Sequence, residues 1–145
     1  MEINKEFIQI VDDVNDWKEA IIIASNPLLK NGIISEEYQS KMISNIEEMG
    51  PYVVLSKDIA MPHARPEDGA YKSAISVLKI NNRVKFDEEK NVNTIIALAC
   101  SSDDDHIKTL QFISKTLSDS KNYEEFIKSN NVNQIYKILK GGNRK

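Results

Sequence analysis

The chain is short of the residues on which many functions rest. It has one cysteine, Cys100, in 145 residues, which excludes an internal disulfide framework and a zinc cage of several thiolates. It has five glycines, and none belongs to a Walker loop, a G-x-G-x-x-G fingerprint or a G-x-S-x-G elbow. Its two histidines show no H-x-E, H-x-H or H-E-x-x-H spacing, so no metal site is expected. A basic excess is missing as well. The 19 Lys and Arg stand against 22 Asp and Glu, a net charge of −3, and that balance disfavours nucleic-acid binding. The longest apolar runs, Ala20–Ala24 and Ile95–Cys100, fall far short of the ~20 residues that span a bilayer. No charged-then-apolar leader opens the chain. These absences predict a soluble, cytoplasmic protein without cofactor, metal or membrane insertion.

The length fits one domain, residues 1–145, with a core over about 10–140 and a fraying tail at Gly141–Lys145. Helical spacing comes first. Asp16 can cap a helix with Trp17, Ala20, Ile21 and Ala24 inward, and Pro27 lies near its end or opens a further turn. Ser35 can cap a second, carrying Tyr38, Met42, Ile46 and Met49, which Gly50-Pro51 stops. Strand signals follow at Tyr52–Leu55, Ile59–Met61 and Ala74–Ile80. The last is expected to turn at Asn81-Asn82 and return through Val84–Phe86. Thr94–Cys100 is apolar on both faces, as a central covered strand requires. Ser102 or Asp103 can cap a helix with Ile107, Leu110, Ile113 and Leu117 on one face. Short helices around Tyr123–Lys128 and Val132–Leu139 finish the chain. The pattern is α/β, with a sheet sandwiched between helices.

Both histidines stand in unusual places. His63 lies between Pro62 and Pro66 in a stiff loop at a strand end, where α/β sheets place their chemistry. Arg65 is one of three arginines, and a guanidinium two residues from an imidazole suits an anion such as phosphate. The alternatives are an ordinary loop histidine and an Arg65 ion pair with Glu67 or Asp68. His106 falls in the first turn of a helix, where free N–H groups and the dipole favour a bound anion and disfavour imidazolium. A histidine there without a partner is the other reading. Asp103, Asp104 and Asp105 would repel a phosphoryl group, so at least two should face solvent or cap the helix. If the strands before His63 and His106 are parallel neighbours, the two rings can meet. Cys100 reads as a core thiol, and Trp17 and the tyrosines as structural.

The segment Ile59-Ala60-Met61-Pro62-His63-Ala64-Arg65-Pro66-Glu67-Asp68-Gly69-Ala70 resembles the active-site motif of the enzyme IIA components of the bacterial phosphoenolpyruvate-dependent sugar phosphotransferase system. The resemblance is to the mannitol/fructose superfamily, and its long form is most similar to the L-ascorbate branch. Asp16-Trp17-x-x-Ala20, Gly50-Pro51-Tyr52 and Asp105-His106-x-x-x-Leu110 resemble that branch too. The resemblance implies a single domain with a mixed, mostly parallel sheet flanked by helices on both faces. It implies that His63 is phosphorylated at Nε2 by the phosphocarrier HPr. The group then passes to a cysteine of a cognate IIB, which serves a membrane IIC component in uptake of a sugar of the L-ascorbate kind. It implies that His106 helps hold the phosphoryl oxygens. Mannitol-type relatives carry an upstream arginine whose position falls near Glu47 here, and no arginine precedes Arg65. Arg65 is thereby the candidate anion contact. No cofactor or metal is implied. A regulatory module of the same fold, whose phosphorylation state controls a partner, is the alternative function. The apolar rim for docking is expected from Met61, Ala64 and Ala70.

Overall fold

A computed structural model describes residues 3–141. Of the expected tail Gly141–Lys145, Gly141 is the last residue of a helix, and the rest lies outside the described residues. A four-stranded sheet in the order β1-β3-β4-β2 forms the middle layer. Its strands are β1 (Ile8–Val11), β2 (Ile59–Ala60), β3 (Ala74–Lys85) and β4 (Asn91–Ala99). β1 pairs in parallel with β3, β2 in parallel with β4, and β3 antiparallel with β4. Two of the three pairings are thus parallel, as the resemblance implied.

Helices cover both faces. The helices α1 (Trp17–Lys30) and α2 (Glu36–Met49) pack on one side. The helices α3 (Asp103–Leu117), α4 (Ser120–Lys128) and α5 (Val132–Gly141) pack on the other. The alternation along β4 divides its side chains between them. Ile95, Ala97 and Ala99 join the α1–α2 core, and Ile96 and Leu98 the α3–α5 core. All five are buried, so the strand is apolar on both faces because both are covered.

The caps form at Asp16, Ser35 and Ser102, whose side chains accept from Glu19, Tyr38 and Asp105 N–H respectively. Pro27 lies inside α1, in its last turn and so near its end. It cannot donate to Ile23 O, and the Gln9 amide donates there instead at 2.6 Å.

Three local expectations are corrected. β1, a strand of four residues at the sheet edge, precedes the helices with which the expected element order began. Asn81-Asn82 is not a turn, because β3 runs through it to Lys85 with an irregularity between Lys79 and Val84. The two asparagine amides donate to the carboxylates of Asp12 and Asp13, and Asn82 N–H donates to Asp12 O. The turn comes at 86–90, where Phe86 stacks on Trp17 with ring centroids 5.7 Å apart. Tyr52–Leu55 is not a strand. It makes one bridge, Val54 to Ala60, after a turn that begins at Gly50, whose φ is +80°.

Candidate functional site

His63 is placed by the end of β2. Pro62 accepts from Leu98 N–H of β4 at 3.0 Å, which holds the loop against the sheet. The His63 ring bends back so that Nδ1 lies 2.9 Å from Met61 O. A carbonyl oxygen can only accept, so Nδ1 carries the proton. Nε2 is then the basic nitrogen, with its lone pair free.

His106 comes from the neighbouring strand. β4 leads into α3, Ser102 caps it, and His106 sits in its first turn. Because β2 and β4 run parallel, the two histidines emerge at the same sheet edge. Their ring centroids are 5.0 Å apart. Burial pushes the His106 pKa below the ordinary histidine range, the neighbouring His63 pushes the same way, and Asp103 opposes them. His106 is therefore a neutral imidazole at pH 7 and can donate one N–H.

The three aspartates are disposed of differently. Asp105 turns toward Ser73, whose hydroxyl donates to it at 2.6 Å, and this bond holds the Asp105 carboxyl below its usual range. Asp104 pairs with Lys108 at 3.2 Å on the solvent side. Asp103 lines the cleft beside His106. Asp103 and Asp104 are both exposed, and the cap is Ser102 rather than Asp103.

A cleft of about 590 Å³ opens over the two rings. Its cations are Lys41 and Arg65, and its carboxylates Glu48, Asp68 and Asp103. Arg65 is exposed and makes no ion pair among the described residues. Asp68 instead accepts from the Arg65 backbone N–H at 3.1 Å. Glu47 points away from the cleft and pairs with Lys18 at 2.7 Å. Lys41 escaped the sequence reading. The signal was its spacing with Asn45 and Glu48, which puts all three on one exposed face of α2.

The expected rim is also corrected. Met61 and Ala64 are buried, because their side chains complete the two cores. The apolar surface is supplied by Met49, 62% exposed, and Tyr52, 41% exposed, which line the cleft. Ile107 is exposed next to His106. Tyr52 is more than a structural aromatic, since it stands edge-on to His63 with centroids 6.1 Å apart. Cys100 is buried, burial raises its pKa and Thr109 lies 3.7 Å away, so it is a core thiol. Among the described residues no three His, Cys, Asp or Glu side chains gather as a metal site. No helix there is long and apolar enough to cross a membrane.

Comparison with known proteins adds to this geometry. A family model described as the phosphoenolpyruvate-dependent sugar phosphotransferase system, EIIA 2, matches residues 1–142. The mannitol-specific cryptic phosphotransferase enzyme IIA component of Escherichia coli is 31% identical over 136 residues, 93% of this chain and 92% of the relative. The solution structure under that name superposes with a TM-score of 0.87, covering 94% of this chain and 93% of that one. The ascorbate-specific EIIA component of Salmonella choleraesuis is 30% identical over 101 residues, 68% of this chain and 66% of the relative. The mannitol enzyme IIA of Escherichia coli, solved in complex with phosphorylated enzyme IIB, shares the fold with a TM-score of 0.83 at 23% identity, covering 97% of this chain and 98% of that one.

Proposed function

The chain belongs to the EIIA 2 family of the phosphoenolpyruvate-dependent sugar phosphotransferase system, and from that premise we propose that Nε2 of His63 is its phosphoryl carrier. The group arrives from phospho-HPr and leaves to a cysteine of a cognate IIB, in the cytoplasm, in service of a membrane IIC. The observation that carries the reading is the 2.9 Å bond from Nδ1 to Met61 O. It supports the reading by holding the proton on Nδ1, which leaves Nε2 as the basic nitrogen.

The steps follow from this chain's own groups. The Nε2 lone pair attacks phosphorus as the donor's bond to phosphorus breaks in line. The new N–P bond makes the His63 ring cationic, since the Nδ1 proton is kept. The Met61 carbonyl dipole stabilises that ring charge. Neutral His106 donates its N–H to an equatorial phosphoryl oxygen, where a fixed donor acts most strongly as charge develops. Arg65 and Lys41 are long, exposed cations at the cleft, able to reach the remaining oxygens. In the second half, the IIB thiolate attacks phosphorus, and the leaving imidazole returns to its neutral Nδ1–H form without needing a proton. That symmetry suits a relay that must run through one group twice.

The exposed Met49, Tyr52 and Ile107 offer a small apolar platform for two partners in turn, as a transient interface requires. The relative whose title records a complex with phosphorylated IIB supports IIB as the acceptor. The relatives named for mannitol and ascorbate match at 31% and 30%, so the proposal extends to a sugar and no further. The test is transfer. The purified phospho-protein, mixed with a IIB of the mannitol or ascorbate type, should lose its phosphoryl group as one IIB cysteine gains it. A phospho-protein that stays loaded in the presence of that IIB contradicts the carrier role.

A further inference from the structure

Tyr38 is 1% exposed, and its helical spacing reads as plain core. Its hydroxyl has other work. It accepts from Ala64 N–H at 3.1 Å and donates to Leu98 O at 2.7 Å, with Ala64 O a longer contact at 3.3 Å. The place of these partners in the sheet gives the bonds their meaning. β2 and β4 pair in parallel, Ile59 opposite Thr94 and Ala60 opposite Ile95. The same register carried forward sets His63 opposite Leu98. In a parallel ladder a residue bonds to both neighbours of its opposite number, through its N–H to one and its C=O to the other. The first bond is made, from Leu98 N–H to Pro62 O at 3.0 Å. The second would join Ala64 N–H to Leu98 O directly. The Tyr38 hydroxyl stands between those two atoms instead, bonded to both. One step earlier in the ladder Pro62 has no N–H to give.

We propose that Tyr38 is a positioning residue whose hydroxyl wedges open the β2–β4 ladder at His63 and thereby sets the orientation of the imidazole. A strand continued through His63 would commit its side chain to one face of the sheet by simple alternation. The inserted hydroxyl holds Ala64 away from β4 while leaving no polar group unpaired. The backbone at His63 is displaced from the ladder, and the ring folds back onto Met61 O with Nε2 outward. Pro62 and Tyr38 act together. The proline removes one ladder bond and the tyrosine stretches the next. The effect on phosphoryl transfer rests on the reading of His63 as carrier, whereas the effect on its tautomer does not.

Tyr38→Phe keeps the ring and removes the wedge. Three readouts separate the possibilities: the nitrogen-15 shifts of the His63 ring, the rate of transfer from phospho-HPr, and the thermal midpoint. The expected result is a lower fraction of the Nδ1–H tautomer in His63 and transfer slowed by about ten- to a hundredfold. An unchanged tautomer with an unchanged rate, whatever happens to the midpoint, overturns the proposal and leaves Tyr38 as core packing. If the native protein accepts no phosphoryl group, the functional reading falls, and the tautomer readout still decides the wedge. If the variant does not fold, the native protein carries the test. A slowly exchanging Tyr38 hydroxyl proton with a cross-peak to the Ala64 amide supports the wedge, and a freely exchanging one refutes it.

Discussion

Gly69→Ala is expected to loosen the turn that follows the His63 loop and packs it against the N-terminus of α2. Gly69 has φ +126°, a backbone conformation that costs a side-chain-bearing residue about 1–3 kcal/mol. A Cβ built there would lie 1.9 Å from Ser35 Oγ and 2.9 Å from Ser35 Cβ. Ser35 cannot move without loss. Its Oγ accepts from Tyr38 N–H as the cap of α2, and its N–H donates to Gly69 O at 2.9 Å. Loss of a serine cap costs about 1 kcal/mol. The sum is about 2–4 kcal/mol. For 145 residues the entropy of unfolding converts each kcal/mol to about 3 °C, so the midpoint should fall by roughly 6–12 °C. Calorimetry of the single variant and of Gly69→Ala with Ser35→Gly tests the cause. Glycine at a cap costs only a few tenths of a kcal/mol and removes the clash. The double variant should therefore recover part of the loss, leaving the backbone strain. A midpoint within a degree of the native value, or strictly additive losses, would refute the reasoning.

His106→Ala should still accept a phosphoryl group and transfer it about ten- to a hundredfold more slowly, the range for one lost donor on developing charge. Stopped-flow transfer with an unchanged rate would remove His106 from the site. Lys79 gives a pH signature. It is 3% exposed on the α3–α5 side, its Nζ donates to Thr94 Oγ1 and to the Phe126 and Ile127 carbonyls, and burial lowers its pKa from 10.5 to about 8. Between those values the unfolded chain holds a proton that the folded chain has released, so stability rises with pH. From pH 8 to pH 9.5 the gain is about 1.5 kcal/mol. Urea unfolding should show it in the native protein and not in Lys79→Met, and equal slopes in the two would contradict it.

The helices were legible because their caps and spacing are local. Asp16, Ser35 and Ser102 each sit where a polar side chain must meet free N–H groups, and the apolar positions that follow repeat at three and four. β4 was legible because a run without polar residues must be covered on both faces. β1 was not, since four residues with Gln9 among them show no more alternation than chance. Asn81-Asn82 misled because the pair favours turns in isolation. The asparagines are held in β3 by Asp12 and Asp13, some seventy residues away in sequence, which no local rule can see. The same divide runs through the site. His63, His106 and Arg65 announced themselves by residue type and flanking prolines. Lys41 and Tyr52 enter the cleft through the path of α2 and the turn after it. The Tyr38 hydroxyl finds its place only when two strands are in register.

The central claim is that His63 carries the phosphoryl group on Nε2. The direct measurement is the intact mass of the protein after incubation with phosphoenolpyruvate, enzyme I and HPr, with His63→Ala in parallel and nitrogen-15 spectra of the loaded ring. The account predicts a gain of one acid-labile phosphoryl group, absent from the variant, with phosphorus on Nε2 and the proton still on Nδ1. A gain that survives in His63→Ala, or a phosphoryl group on Nδ1, would contradict it.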